Sequence, residues 1–541
     1  MLSELKARKK IFFGPTDSGL RTVNVLVTGS LLLLLAMSHA SSGRAEQNPD
    51  QVFGNCTVGV FSGAVTADGR PMIWKNRDVA NHDQRFIYYS PYTRDGIITF
   101  SFIGNCYLND TTRIYMGANE RGFAIMNSDS YNMGDSLWVG LDDGTLMRLA
   151  LETCETLSEF ESFLDSTNVS GRLDCWNFGC LDATGASAMY ECANHWYRKY
   201  DPLDPADQPP GYIVRANYSL SGGSENLSGV DRFTRANDLI LERLQTSPID
   251  AYFVSTVLVR DLGNVYADPY PLPYNGTQLG GPPGYIFNFG CTINNRSTSS
   301  AVVIRGVRPG ERAALTTIFA ILGAPALSVA FPLWVESGAV PPCLSDPANP
   351  PVRALCVARI PRLYDNPDAG LFVNSHYLVD DDSGGVYSYT FPLEAWGMNE
   401  SDSLVEIWAQ DSPVPGMVIQ EEFRIASEIY RGFQLETAAL IGQPLEGPQL
   451  PGELSIFNYP NPFNRGTYIV YSGANPAYPV RLEIFDLLGR RVTELAGTGM
   501  SDGAVYWAGS GRRGDDLSSG IYFYSLVNGP RRLSGKMLLI K

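Results

Sequence analysis

The run IGQPLEGPQLPGE, residues 441–453, divides the chain and so constrains its fold more than any other stretch. Prolines lack an amide donor and glycines cost entropy when ordered, so this density of both suits a linker better than a helix or a strand. On either side of it the pattern differs. Residues 56–440 mix strand-like runs such as TVGVFSGAV, RPMIWKN, GFAIMNS and SAVVIRGV with helical spacing over 146–166 and 231–245. Residues 454–541 carry only short alternating runs, among them VRLEIFDLLGRRV and SGIYFYSLV, separated by Gly, Asn, Asp and Pro turns. That predicts an α+β domain followed by a small all-β sandwich.

The N-terminus reads as a targeting segment. Lys6, Arg8, Lys9, Lys10 and Arg21 precede the apolar run VNVLVTGSLLLLLAM, and SHA (38–40) and GRA (43–45) offer small residues for cleavage. The run is shorter than the ~20 residues a spanning helix needs, so a signal peptide over 1–45 is favoured over a retained anchor. No other segment is long and apolar enough to span, and the mature chain is expected to be exported without a transmembrane segment. A net charge of −16 argues against a nucleic-acid partner, because phosphate binding needs clustered cations. Nine cysteines in an oxidising compartment leave one thiol over: if that is Cys56, as many as four disulfides are expected, and if not, Cys56 is half of one.

Histidine supply narrows the chemistry. Of four histidines, His39 lies in the targeting segment, and His82, His195 and His376 form no metal-spaced pair. No GxSxG elbow appears, and His195 reads as a structural residue. No cofactor and no metal is expected. A catalyst that needs no histidine suits the chain, and an N-terminal cysteine is one: its own α-amine, with a reference pKa of about 8, can serve as base for its thiol. Cys56 opens an apolar strand, a turn follows at Asp68-Gly69, and the next strand ends in the dense charged cluster Lys75, Asn76, Arg77, Asp78. Such a cluster at the end of an apolar strand suggests chemistry rather than packing. On a regular strand Lys75 and Arg77 point one way and Asp78 the other.

This stretch resembles the start of the cysteine Ntn hydrolases of the choloylglycine hydrolase, penicillin V acylase and acyl-CoA:6-aminopenicillanate acyltransferase group. The resemblance implies a four-layer αββα sandwich over 56–440, removal of a leader (46–55) by attack of Cys56 on the Asn55 carbonyl, and reaction at a small-molecule amide through a Cys56 thioester. Carried over by motif, MGANERGFAIMNS assigns Asn119 to the oxyanion hole, VRANYSL assigns Asn217 beside it, and SGVDRFTRA assigns Arg232. Asp78 holds the place of the group's aspartate. The group's arginine is here Lys75, so either Lys75 or Arg77 fills that role. Each residue has a bland alternative: an ion pair for Asp78, a turn for either asparagine, a solvated helix face for Arg232. Two readings stand beside hydrolysis or acyl transfer, namely a related cysteine Ntn dipeptidase and a surface binding protein that lost catalysis. A lipid-modified Cys56 is disfavoured, because FGNC lacks the small residue before the cysteine.

At the other end, YPNPFN (459–464), IFDLLGRRV (484–492), SGIYFYSL (519–526) and KMLLIK (536–541) resemble the C-terminal sorting domain of type IX secretion cargo. That implies an immunoglobulin-like sandwich over 454–541, the type IX machinery as partner, and release or attachment at the surface of a Gram-negative bacterium. A generic sandwich without a sorting role is the alternative.

Overall fold

The computed structural model describes residues 55–79, 81–94, 96–134, 139–207, 210–366, 371–380, 385–414, 416–441, 455–459, 463, 467–472, 474, 478–496, 503–511 and 517–540. The expected signal peptide, the leader as far as residue 54 and the linker from residue 442 lie outside these.

Two antiparallel sheets form the frame. In chain order the elements that build them are β1 (Thr57–Phe61), β2 (Met72–Asp78), β3 (Gln84–Tyr89), β4 (Phe102–Tyr107), β5 (Met116–Asn119), β6 (Ala124–Asp129), α1 (Asp143–Thr153), α2 (Leu157–Ser170), β7 (Trp176–Leu181), β8 (Ser187–Cys192), β9 (Tyr197–Tyr200), β10 (Tyr212–Arg215), α3 (Val230–Thr246), β11 (Thr298–Arg305), β12 (Thr317–Leu322), β13 (Ala330–Trp334), α4 (Tyr387–Gln410) and α5 (Met417–Ile441). The first sheet has the order β10-β1-β2-β11-β12-β13, the second β9-β8-β7-β6-β5-β4-β3.

Alternation along the strands decides which faces meet. Val58, Val60, Ile73 and Val302 of the first sheet share a core with Met116, Met126, Leu181 and Met189 of the second. The intervening residues turn outward. Trp74, Val214 and Val303 pack with Ala236 and Ile240 of α3. Ile125, Phe178 and Tyr190 pack with Leu146, Leu149, Phe160 and Phe163 of α1 and α2. At about 1.5–3 kcal/mol per fully buried large apolar side chain, these faces fix the register of both sheets.

The helical spacing over 146–166 resolves into two helices rather than one. Thr156 caps α2 in a capping box with Glu159, and Asn119 Nδ2 takes the carbonyls of Leu151 and Cys154 at 2.9 and 2.8 Å. The chain ends needed at the break are thereby satisfied, so a break costs little.

The expected disulfides do not form. All nine cysteines lie among the described residues, all are buried, and no two are joined. Six of them serve as small apolar residues: Cys106, Cys154, Cys180 and Cys192 in the α1–α2 core, Cys343 and Cys356 in the large core that also includes the facing sides of the two sheets.

Beyond the linker the described residues form seven further strands: β14 (Ser455–Tyr459), β15 (Thr467–Ser472), β16 (Val480–Phe485), β17 (Arg491–Ala496), β18 (Gly503–Trp507), β19 (Gly520–Asn528) and β20 (Arg531–Leu539). They pair as β14-β15-β18 and β17-β16-β19-β20, around Ile469, Leu482, Ile484, Trp507, Leu526 and Leu539. Among the described residues no helix is long and apolar enough to cross a membrane.

Candidate active site

Three strands carry an apolar body and a polar end, and the fold brings those ends together. β2 ends in Lys75-Asn76-Arg77-Asp78, β6 ends in Asn127-Ser128-Asp129, and Asn295 to Thr298 lead into β11. Cys56, at the start of β1, sits among them. Thr57 pairs with Asn76, and Val58 pairs with Lys75 on one side and Arg215 on the other. Continuing that register sets Cys56 between Arg77 and Asn217.

Arg232, in the first turn of α3, holds this end of β1. It is fully buried, and its Nη1 donates to the Cys56 carbonyl at 2.6 Å and to Thr57 Oγ1 at 2.9 Å. The same nitrogen donates to the carbonyl of Asn55. Nη2 donates to Asn217 Oδ1 at 2.9 Å and Nε to the Gly290 carbonyl at 3.1 Å. Gly229 makes room for this fork. It has φ +83°, and a Cβ there would lie 2.4 Å from Arg232 Nη2.

Asp78 faces the opposite way from Lys75 and Arg77, as strand alternation requires. Thr298 Oγ1 and Asn295 Nδ2 donate to its carboxylate at 2.6 and 2.5 Å. Burial still pushes it up to about 7, against the pull of Arg232, those two donors and Lys75. Its backbone helps to hold the Cys56 thiol down against the effect of burial.

Lys75 and Arg77 share a face but not a job. Lys75 Nζ donates to Asn127 Oδ1 at 2.6 Å and to the Tyr115 carbonyl at 3.1 Å. Burial pulls it below its ordinary value, Arg77 adds to that, and Cys56, Asp143 and Asp129 oppose it. Arg77 instead lies 3.6 Å over the Tyr115 ring and 5.1 Å over Tyr107. Burial pushes the Cys56 thiol above its ordinary value; Lys75 is the cation that opposes this, while Asp78 and Asp129 add to it. Lys75 thus acts on the thiol, while Arg77 stacks on Tyr115 and Tyr107.

Asn217 is in the site. Its Oδ1 takes Arg232, its Nδ2 donates to the Asp129 carbonyl at 3.3 Å, and Ser128 Oγ ties the preceding carbonyl of Ala216 to β6 at 2.6 Å. Asn119 is not. Its Oδ1 accepts from the N–H groups of Arg121 and Phe123 at 3.0 and 3.1 Å, closing the β5–β6 hairpin, while its Nδ2 is taken by α1. The pairing of Met116 with Met126 and Ala118 with Ala124 puts Asn119 six residues along the ladder from the level of Asp129, about 20 Å at strand rise. The asparagine of this hairpin that reaches the thiol's surroundings is Asn127, which accepts from Lys75 and donates to Asp143 Oδ2 at 3.0 Å.

Sequence reasoning missed Asn127, Asp129, Asp143, Asn295 and Thr298. For four of them the signal was present, since NSD and NNRST are polar strand ends of the same kind as KNRD. His195 Nδ1 pairs with the Asn168 carbonyl at 3.0 Å, outside this cluster. Among the described residues no group of three or more His, Cys, Asp or Glu side chains is placed to hold a metal ion.

A buried thiol between a lysine, an aspartate and an arginine-held backbone is an arrangement for acyl transfer to sulfur. A family model described as acyl-coenzyme A:6-aminopenicillanic acid acyl-transferase matches residues 65–271. That segment includes Lys75, Asp78, Asn127, Asn217 and Arg232, begins after Cys56, and covers well under half of the chain. It supports the Ntn group of hydrolases and acyltransferases, a class that points to amide hydrolysis or acyl transfer. No curated protein matches the chain. Among solved structures, penicillin V acylase from Agrobacterium tumefaciens is 15% identical, with 52% of this chain and 86% of that one covered and a TM-score of 0.31. A mutant of conjugated bile acid hydrolase from Clostridium perfringens is 13% identical, with 46% and 88% covered and a TM-score of 0.28. PorZ, a surface component of the type-IX secretion system of Porphyromonas gingivalis, is 20% identical over 16% of this chain, with a TM-score of 0.14. The chain spans only 12% of PorZ's length.

Proposed function

We propose that this chain is an exported N-terminal-cysteine amidohydrolase or acyltransferase, made as a precursor and matured by its own cut at Asn55–Cys56. One observation carries the reading. Arg232 Nη1 donates to the carbonyls on both sides of that peptide bond, the second on the residue whose sulfur would attack it. The Cys56 sulfur adds to the Asn55 carbonyl carbon, and the Cys56 nitrogen leaves with a proton. Water then hydrolyses the thioester, releasing the leader as a carboxylate and restoring the thiol, so that Cys56 is left with a free thiol and a free amine.

That amine is the base of the mature enzyme. With a reference pKa of about 8, it takes the thiol proton as sulfur attacks a substrate amide, and returns it to the leaving nitrogen. The acyl group rests on Cys56 until water or a second amine accepts it. Lys75 favours the thiolate, and Arg232 and Asn217 fix the residue that carries it. The two sheets with helices on their outer faces are read as the αββα sandwich of this class. Strands β14–β20 are read as an immunoglobulin-like domain that directs the chain to type IX export, a reading that rests on the sequence motifs of 454–541. Truncation before residue 454 would then hold the protein in the periplasm.

The test of the chemistry is a panel of small acyl amides. The matured protein should cleave at least one with a burst of first product and a trappable acyl group on Cys56, and Cys56→Ala should show neither. Turnover by Cys56→Ala would refute the proposal.

A further inference from the structure

The charges around Cys56 are unequally satisfied. Arg232 spends its fork on Cys56, Thr57, Asn217, Asn55 and Gly290, and Lys75 donates to Asn127 and Tyr115. Asp78 accepts from Thr298 and Asn295, and Asp143 from Asn127. Asp129 differs. Among the described residues its carboxylate receives no hydrogen bond and no salt bridge, although its own backbone carbonyl is fixed by Asn217 at 3.3 Å.

Asp129 ends β6 and is half-buried. From it a chain of hydrogen bonds runs through Asn217 and Arg232 to the Cys56 carbonyl. Its charge acts on the Cys56 thiol and on Tyr131, whose amide N–H donates to the Asn217 carbonyl at 3.1 Å and whose side chain is 38% exposed. A carboxylate without a donor beside a partly exposed tyrosine suits one kind of ligand group, a cation.

We propose that Asp129 sets specificity by receiving an ammonium group at the end of a short alkyl chain on the substrate amide, with Tyr131 alongside. This rests on the amidase reading above. Burial, with Asp143 and Asp174 close by, pushes this carboxylate up to about 7 against the pull of Lys75 and Arg77, neither of which donates a hydrogen bond to it, and an arriving ammonium would favour its charged form. Carboxylate-bearing amides would be disfavoured by the same group.

The experiment compares matched pairs in which an ammonium replaces a methyl group. One pair carries it on the acyl side, 6-aminohexanoyl against heptanoyl 4-nitroanilide; the other on the amine side, N-(4-aminobutyl)- against N-pentylacetamide. The matured wild type should favour the ammonium member of at least one pair by about tenfold or more in kcat/KM, as expected for a charge-assisted contact. In Asp129→Asn that ratio should collapse towards one, and Asp129→Glu should retain it. Cleavage without preference in either pair overturns the inference alone, and needs no variant to observe. An equal loss on both members in Asp129→Asn also overturns it, and would assign Asp129 to the freed α-amine of Cys56. Cleavage of none of the four compounds counts against the amidase reading itself.

Discussion

Arg232 Nη1 lies 2.6 Å from the carbonyl oxygen of Cys56, so the first helical turn after β10 grips the backbone of the nucleophile rather than its sulfur. The contact works because the guanidinium is planar and its donors diverge, letting Nη2 hold Asn217 at the same time. Lysine offers a point charge and cannot span both. Arg232→Lys should therefore slow leader removal and amide turnover together by about a hundredfold, in line with the loss of a pair of charge-assisted hydrogen bonds. Arg232→Ala leaves several buried acceptors bare and should lower unfolding free energy by about 3–5 kcal/mol. Denaturant unfolding and gel-resolved processing of the two variants check this.

Gly229→Ala tests the same grip from the opposite side. The added methyl would fall 2.4 Å from Arg232 Nη2 at a residue with φ +83°. We expect a destabilisation of about 1–3 kcal/mol, with slowed maturation despite an intact Arg232. Normal maturation rates in the variant would mean that the guanidinium has room to move.

Asn119 and Asn127 should separate stability from chemistry. Asn119→Ala removes the donor that terminates α1 and the acceptor that closes the β5–β6 turn, at a cost of about 1–3 kcal/mol, and should leave kcat unchanged. Asn127→Ala takes the acceptor from Lys75 and should reduce kcat at least tenfold. The opposite pattern would restore Asn119 to the oxyanion hole.

Acidity around Asp78 gives a pH prediction with a definite sign. Its folded value, about 7, lies above the ordinary 3.8 because of burial. The folded chain thus binds a proton that the unfolded chain has released, and stability falls as pH rises between the two values. Asp129, also raised to about 7 by burial, acts in the same window. The stability that protonated Asp78 confers is present below pH 3.8 and lost as pH passes 7. The melting temperature of the Cys56→Ala precursor should therefore drop more steeply between pH 4.5 and 7.5 than that of Cys56→Ala/Asp78→Asn. Parallel curves would contradict it.

Much of this site is legible in residue order, and the exceptions have physical causes. The KNRD cluster shows itself because four polar residues close an apolar strand, and strand alternation alone separates Lys75 and Arg77 from Asp78. Arg232 and Asn217 are reached only through the family resemblance of SGVDRFTRA and VRANYSL, since neither residue stands out by local pattern. Asn119 misleads because NERG is a hairpin turn: its asparagine does turn work, while the strand carries Asn127 to the site end. No spacing rule sees that without the β5–β6 register. The pairing of Asp78 with Asn295 and Thr298 joins residues more than 200 positions apart, and nothing local announces it. The cysteines misled by their number, since an even remainder suggests bridges only when thiols meet in pairs, and here all nine are buried and no two are joined.

All of the proposed chemistry depends on Cys56 becoming the first residue. The direct measurement is intact mass with N-terminal sequencing of the protein recovered after export. A mature chain beginning Cys-Thr-Val-Gly, with Cys56→Ala retaining residues before position 56, is the predicted result. A wild-type chain that begins at any other residue, or an alanine variant trimmed to position 56, would contradict it.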